Sequence, residues 1–436
     1  MRYEEIDLSE RDFWARPLEE RAEAFALLRA LPHPPLYAEP EVSYMPVGPG
    51  YYALTRHADV AEASRHPELF SSEPSAISIP DMPPEFAEYF GSLITMDDPR
   101  HAKIRRIVSR AFAPRMLRRS QEQIVETSRR IVDELIERGP CDLVEHVAAR
   151  LPLTFICRMM GIPESHYRLV YEASNTILAG QDPEFLTEDD DETVTRLLGA
   201  GQELHDLVQR LAADRREHPT EDLITALSTA NVDGERLTEQ ELGSFFIILC
   251  AAGNETTRNA ISHGLKLLSD HPDQRALLCS DLDRYLPGAV EEIVRCASPV
   301  IWMRRTLTAD HRMGGHDYRK GDKVLLYYWA ANRDPEVFPD PDRFDITRSP
   351  NPHVGFGGAG PHFCLGANLA RTEIAAMLRE LLTRIPDLRT DGEPERLLSS
   401  FINGIKRMPC TFTPSRARPA AEPPAAPAPA AEAAAD

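Results

Sequence analysis

The 436-residue chain predicts a mainly α fold with a small β portion. Long stretches repeat apolar residues every three or four positions with charges between them, whereas stretches with a strand pattern are few and short. In chain order, Tyr51 to Thr55 reads as a strand. Helices are expected over Glu122 to Glu137, Val194 to Arg215, Glu239 to Leu268, Gln274 to Asp283 and Pro287 to Cys296. Pro287 suits a helix start and Pro299 lies beyond the end of the same helix. Lys323 to Trp329 reads as a strand, and Gly321-Asp322 before it has the turn chemistry of a hairpin. A helix over Ala367 to Thr383 and a strand over Met408 to Thr413 complete the pattern. Residues 416–436 are almost all Ala and Pro, with nothing large to bury, so a disordered tail is expected after one domain spanning 1–415.

Charge narrows the function. Lys and Arg number 49 against 69 Asp and Glu, a formal net charge of −20. Such acidity disfavours nucleic acid, whose phosphates need clustered cations, and an anionic membrane face. The seven cysteines are scattered, with no CxxC pair, which fits neither a disulfide framework nor a zinc site. Reduced thiols in a cytoplasm fit best. The first residues, MRYEEIDLSE, hold no apolar run for a signal peptide. The longest apolar stretch, around Phe245 to Ala252, is far shorter than the ~18 residues that span a bilayer.

One segment stands out: Phe356-Gly-Gly-Ala-Gly-Pro-His-Phe-Cys364-Leu-Gly366. A glycine-rich loop delivers Cys364 to what the pattern reads as the first turn of a helix. Free amides and the positive helix pole there favour thiolate over thiol. A thiolate is also a haem-iron ligand strong enough to favour O–O cleavage. Glycines here let backbone approach a flat cofactor and aim N–H groups at sulfur. The plainer reading is a small buried hydrophobe in a turn. Two further patterns bear on it. Glu292 and Arg295, three apart, share a helical face and can pair, as many surface residues do. Within Ala251-Ala252-Gly253-Asn254-Glu255-Thr256-Thr257, glycine and β-branched threonines oppose the surrounding helix, and local conflict of this kind often marks a functional site. The Thr256 hydroxyl can bond back to the Ala252 carbonyl and widen the turn.

The cysteine segment resembles the haem-ligand signature of cytochrome P-450 enzymes, with Gly360, His362, Cys364 and Gly366 on their positions. Phe356 lies one residue further from the cysteine than usual, accounted for by an extra loop residue. That Gly-Gly variant is similar to an actinobacterial branch of methyl-branched-lipid and sterol-side-chain ω-hydroxylases. Stretches such as Asp97-Asp-Pro-Arg-His101, Ala252 to His263, Asn351-Pro-His353 and Asn403-Gly-Ile-Lys406 carry the branch likeness, which covers all but about the first thirty residues and the tail.

The resemblance implies the P-450 fold and haem b (Fe-protoporphyrin IX), with Cys364 as metal ligand. Glu292 and Arg295 would lock the proximal loop against Phe338 to Phe344. Glu255 and Thr256 would relay protons beside bound oxygen. Cofactor contacts would come from His101, Arg105, Ala252, Arg305, Phe356, Gly357, His362, Cys364 and Gly366, with Arg304 a competitor of Arg305. An apolar substrate pocket is expected from Ile248, Ala251, Ala252, Val300, Ile301, Met303, Phe401 and Ile402. The run Arg100 to Arg119 carries basic residues at 100, 103, 105, 106, 110, 115, 118 and 119 and no acid. It reads either as a solvated basic face or as a dock for an acidic donor such as a ferredoxin, reduced in turn by an NAD(P)H-dependent reductase. The expected activity is O2-dependent ω-hydroxylation of branched lipids or sterol side chains. The rival readings are a tailoring hydroxylase for another hydrophobic natural product and a haem-thiolate sensor without turnover.

Overall fold

The computed structural model describes residues 3–42, 45–111, 114–178, 182–185, 190–230, 234 and 236–414; the Ala/Pro-rich tail lies outside these. The body is organised around one helix, Glu239–Asp270. Its start is set chemically by a capping box. Thr238 Oγ1 accepts from the Glu241 amide at 3.1 Å, and Glu241 Oε2 accepts from the Thr238 amide at 2.9 Å. Beyond that start its sides are buried nearly all round, so it runs through the interior rather than over the surface. Helices Arg150–Met160, Asp190–Glu217, Leu282–Ala297 and Ala367–Arg384 pack against it. Phe245, Phe246, Ile261 and Leu265 belong to the core they share.

A five-stranded sheet stands beside this helical body. Its order is Leu36–Tyr37, Tyr51–Leu54, Lys323–Tyr327, Trp302–Leu307, Phe70–Ser71. Tyr51–Leu54 runs parallel to Lys323–Tyr327, and the other neighbours are antiparallel. Every residue of Lys323–Tyr327 is buried, as a strand with neighbours on both sides and cover on both faces requires.

The expected helices at 122–137, 194–215, 239–268 and 367–383 are present; the last two gain less than a turn, while the first two begin earlier, at Pro114 and Asp190. Three boundaries differ for local reasons. First, Pro272–Ser280 and Leu282–Ala297 are separate helices, and Pro287 sits inside the second rather than at its start. Asp281 caps that helix, its carboxylate accepting from the Arg284 amide at 3.1 Å. Proline there forfeits one backbone bond, but Leu286, Ala289, Val290 and Ile293 bury an apolar face that outweighs the loss. Second, Gly321-Asp322 does not close a hairpin. The local hairpin pairs His311–Met313 with His316–Tyr318 around Gly314 and Gly315, both at positive φ. Third, the strand from Lys323 stops at Tyr327, where Tyr328–Ala331 turns helical, and Met408 to Thr413 contributes only the short strand Cys410–Thr411.

Candidate active site

The cysteine loop is held by its own backbone. The Gly357 amide donates to the Val354 carbonyl at 2.9 Å, and the Cys364 amide donates to the Phe356 carbonyl at 3.0 Å. Gly357 has φ +87°, open to glycine without strain. A Cβ on Gly360 would stand 2.0 Å from the Ser64 carbonyl oxygen, so only glycine lets the loop lie on that helix. The following helix begins at Ala367 with Gly366 as its cap, so Cys364 precedes the first turn instead of lying in it. The thiol faces a cavity deep in the protein. Burial pushes its pKa up, and this outweighs the Gly366 and Ala367 amides and the Arg105 and Arg371 guanidiniums, which pull it down. The helix terminus alone therefore does not make the thiolate; coordination to a metal cation would displace the proton.

Behind the loop, Glu292 and Arg295 are both fully buried. The pair is bidentate, Arg295 Nε and Nη2 donating to the two Glu292 oxygens at 2.8 Å each. Arg295 Nη1 also donates to the Asn332 and Pro341 carbonyls at 2.8 Å each, and the guanidinium lies 5.3 Å over the Phe338 ring. Glu292 further accepts from the Asp345 amide, Arg348 and Asn351. Burial alone would raise the Glu292 pKa, but these donors outweigh it and hold the carboxyl below its usual range. A second set lies closer to sulfur: Glu291 binds His353 and Arg371, and Arg371 stacks 4.4 Å over the Phe356 ring.

The long helix forms the facing wall. Thr256 Oγ1 donates to the Ala252 carbonyl at 2.8 Å, the expected back-bond, while the helix stays α-helical through this turn. Both residues line the cavity, as does Gly253. Glu255 does not line it. Its carboxylate, 1% exposed, accepts from Arg258 and from Asn259 Nδ2 at 3.0 Å, while its second oxygen is buried without a partner.

Cations gather at one edge. Arg305, His362 and Arg105 line the cavity, and the His101 and His362 rings lie 4.2 Å apart. Arg304 points away into the Ser78–Asp81 turn, because neighbouring residues of a strand face opposite sides. Arg305 donates to the Arg304 carbonyl and Arg105 to the Phe363 carbonyl; among the described residues neither meets a carboxylate. Burial first, then Arg305, His101 and Arg105, lower the His362 pKa to about 2. His101 Nε2 is buried with no partner. This cluster of cations, none paired with a carboxylate apart from the His101–Asp98 contact and with His101 Nε2 left over, suits the two carboxylates of a haem, and with Cys364 and the apolar cavity the residues present fit that group.

The cavity offers about 1550 Å³ of space between atoms, including its mouth. Ile248, Ala252, Val300 and Met303 line it as expected, and so do Phe356, Gly357 and Gly366. Four expected pocket residues do not. Ala251 is buried at the side of the helix, away from the face that Ile248, Ala252 and Thr256 share. Ile301 alternates with Val300 and faces the Phe25–Trp329 core instead. Phe401 packs 5.0 Å from Trp302, and Ile402 is buried where it bridges Val300. Sequence reasoning missed Leu93, Phe155, Met159 and Phe245, which line the cavity from segments that read only as core. It also missed Glu373, a lining carboxyl whose pKa burial drives well above its ordinary value. Arg110, Arg115, Arg118 and Arg119 lie outside the residues whose side chains are described.

Removing Glu292 strands Arg295 with its charge buried, a change that typically costs ~3–5 kcal/mol. Glu292→Ala is expected to yield protein lacking bound haem, read from the Soret absorbance per polypeptide; full loading would contradict this role.

Comparison with known proteins agrees with this geometry. The family model "Cytochrome P450" matches residues 191–388. The chain is 47% identical over 412 residues to a methyl-branched lipid omega-hydroxylase of Mycobacterium bovis, covering 94% of this chain and 95% of that one. It is 40% identical over 369 residues to a steroid C26-monooxygenase of Mycolicibacterium smegmatis, covering 84% of each. Among solved structures, Mycobacterium marinum cytochrome P450 CYP268A2, in complex with pseudoionone, superposes with a TM-score of 0.87 at 42% identity, over 94% of this chain and 99% of that one. CYP109E1 of Bacillus megaterium, in complex with testosterone, gives 0.73 at 30% identity, over 83% and 93%. With its cysteine loop, buried Glu-Arg pair and threonine-notched helix around one apolar cavity, this chain belongs to the cytochrome P450 family of haem-thiolate monooxygenases.

Proposed function

We propose that the enzyme hydroxylates a terminal, unactivated carbon of a methyl-branched lipid or a sterol side chain. The observation that carries this reading is the apolar cavity that joins the Cys364 thiol to the Thr256 notch. Haem b, held through Cys364 and by Arg105, Arg305, His101 and His362 at its carboxylates, would supply activation of O2 with two electrons, inserting one oxygen atom and releasing the other as water. The residues of this chain do the rest. Ile248, Val300, Met303 and Phe245 bury aliphatic chain, each CH2 worth ~0.8 kcal/mol, and exclude water. In that dry space protons arrive only through side chains. Thr256 Oγ1 now gives its proton to the Ala252 carbonyl and can turn it toward the cavity. Glu255 feeds that hydroxyl only when it releases Arg258, which Asn175 Oδ1 also holds at 2.9 Å. The pairing makes Glu255 a gated proton source rather than a standing one.

Electrons would come from a ferredoxin-type donor with an NAD(P)H-dependent reductase. Helix Arg100–Ala111 presents Arg100 and Arg106 at the surface, and its Arg105 reaches the carbonyl of Phe363 beside the cysteine. An acidic partner docked there would sit close to sulfur. The seven cysteines form no disulfide, and no helix among the described residues is long and apolar enough to cross a membrane. Both features support a cytoplasmic enzyme.

Titrating branched fatty acids and cholest-4-en-3-one against the Soret band tests the substrate class. A saturable low- to high-spin shift with at least one class is expected; silence with both would refute it. Thr256→Ala is expected to keep oxidising NAD(P)H while product per NAD(P)H falls roughly ten-fold or more and peroxide accumulates. Unchanged coupling would remove Thr256 from proton delivery.

A further inference from the structure

Away from the active-site cavity, a small cavity lies between the N-terminal helix Leu18–Ala30 and the segment around Asn403. Trp14, Phe25, Ile301, Trp329, Asn403 and Arg21 line it. Arg21 is its only charged wall, 6% exposed, and its Nε is buried with no acceptor among the described residues. The other polar groups nearby are spoken for. Asn403 donates through Nδ2 to the Ala297 carbonyl at 2.6 Å and bonds through its own carbonyl to His263 Nε2 at 3.0 Å. Trp14 Nε1 donates to the Leu8 carbonyl at 2.9 Å.

Positive charge accumulates around this point, and the acids near it are exposed or bound elsewhere. Arg396 Nη1 is likewise buried and unpartnered. Arg333 lies 3.8 Å over the Trp329 ring and donates only to the Trp329 and Cys296 carbonyls, with Asp342 3.6 Å away and largely exposed. Of the acids near Arg396, Glu393 and Asp270 bind Lys266 instead, at 3.2 and 2.7 Å, which leaves Glu19, near both Arg396 and Arg21. Glu19 beside Arg21 is exposed and makes no bond to it. His263, buried and facing Arg396, Arg333 and Arg21, has its pKa lowered to about 3 and adds no charge. A buried guanidinium N–H with no acceptor, its nearby carboxylates exposed or bound to Lys266, is a costly arrangement.

We propose that this cavity binds a single chloride-sized anion, held by Arg21 Nε with Arg396 supplying the second positive charge. The space open to the centre of a water-sized sphere is about 10 Å³, room for roughly one such sphere. That excludes phosphate, sulfate or a carboxylate ligand and leaves a water or a monatomic ion, between which the unpaired guanidinium N–H groups favour the anion. Its apolar walls would strengthen the ion's attraction to the guanidinium. The ion would tie the N-terminal helix to the Glu395–Arg396 and Ile405–Arg407 hairpin, away from the catalytic residues.

The test uses haem-loaded full-length protein. Anion binding to the folded state alone raises the unfolding temperature with ion concentration. At fixed ionic strength, replacing gluconate by chloride is expected to raise Tm saturably in wild type and not in Arg21→Gln or Arg396→Gln. Crystals grown in bromide are expected to show an anomalous peak beside Arg21 Nε. An equal Tm in both salts, an equal chloride response in both variants, or an ordered water without anomalous signal at that position would overturn the proposal. Should a variant fail to fold, the bromide peak in wild type decides alone.

Discussion

The architecture depends on a charge pair sealed from water. Glu292 and Arg295 satisfy each other twice and then spend their remaining donors and lone pairs on chain that is distant in sequence. Desolvating two charges costs several kcal/mol apiece, so such a pair adds little net stability over apolar side chains of the same size. What it confers is direction: the carbonyls of Asn332 and Pro341 and the amide of Asp345 have one low-energy position each. Asn332 in turn accepts from the Val354 amide at 2.7 Å, at the entrance to the cysteine loop. The position of the sulfur is thus inherited, bond by bond, from a buried helix behind the loop that reaches the cavity with Val294 but places neither Glu292 nor Arg295 in its wall.

The cavity itself divides labour by polarity. Apolar walls recognise nothing but shape and hydrocarbon, and they keep out water that would short-circuit proton delivery. The few polar groups that do face inward are therefore conspicuous. Arginines and histidines collect at one edge, Thr256 lies on the long-helix wall, and Cys364 lies on the cysteine-loop wall. Arg371 links the two levels of support, held by Glu291 and stacked on the Phe356 ring, while the carbonyl of that same Phe356 fixes the cysteine amide.

How far sequence alone reached follows from the range of the forces involved. The long helix could be read because its apolar spacing and its Thr238 cap are local. The choice of Arg305 over Arg304 agrees with where the strand points each side chain, and the Thr256 back-bond to Ala252 is a purely local geometry. The interior Pro287 was misread because a buried face overrode the proline's preference for a helix start. Ile301 and Phe401 were misplaced because strand alternation and core packing decide which side an apolar residue faces, and apolarity does not reveal the side. Glu373 escaped notice since an acid on an amphipathic helix reads as solvated, and only tertiary packing shows it lining the cavity. The expected start of a helix at Cys364 came too early: the helix begins at Ala367, and burial raises the thiol pKa against the pull of the Gly366 and Ala367 amides.

The central claim is that Cys364 sulfur, as thiolate, ligates haem iron. Its most direct test is the absorption spectrum of purified holoprotein reduced under carbon monoxide. The strongly red-displaced Soret band that marks a thiolate ligand is the predicted result, abolished in Cys364→Ala. An undisplaced band in the wild-type holoprotein would contradict the account.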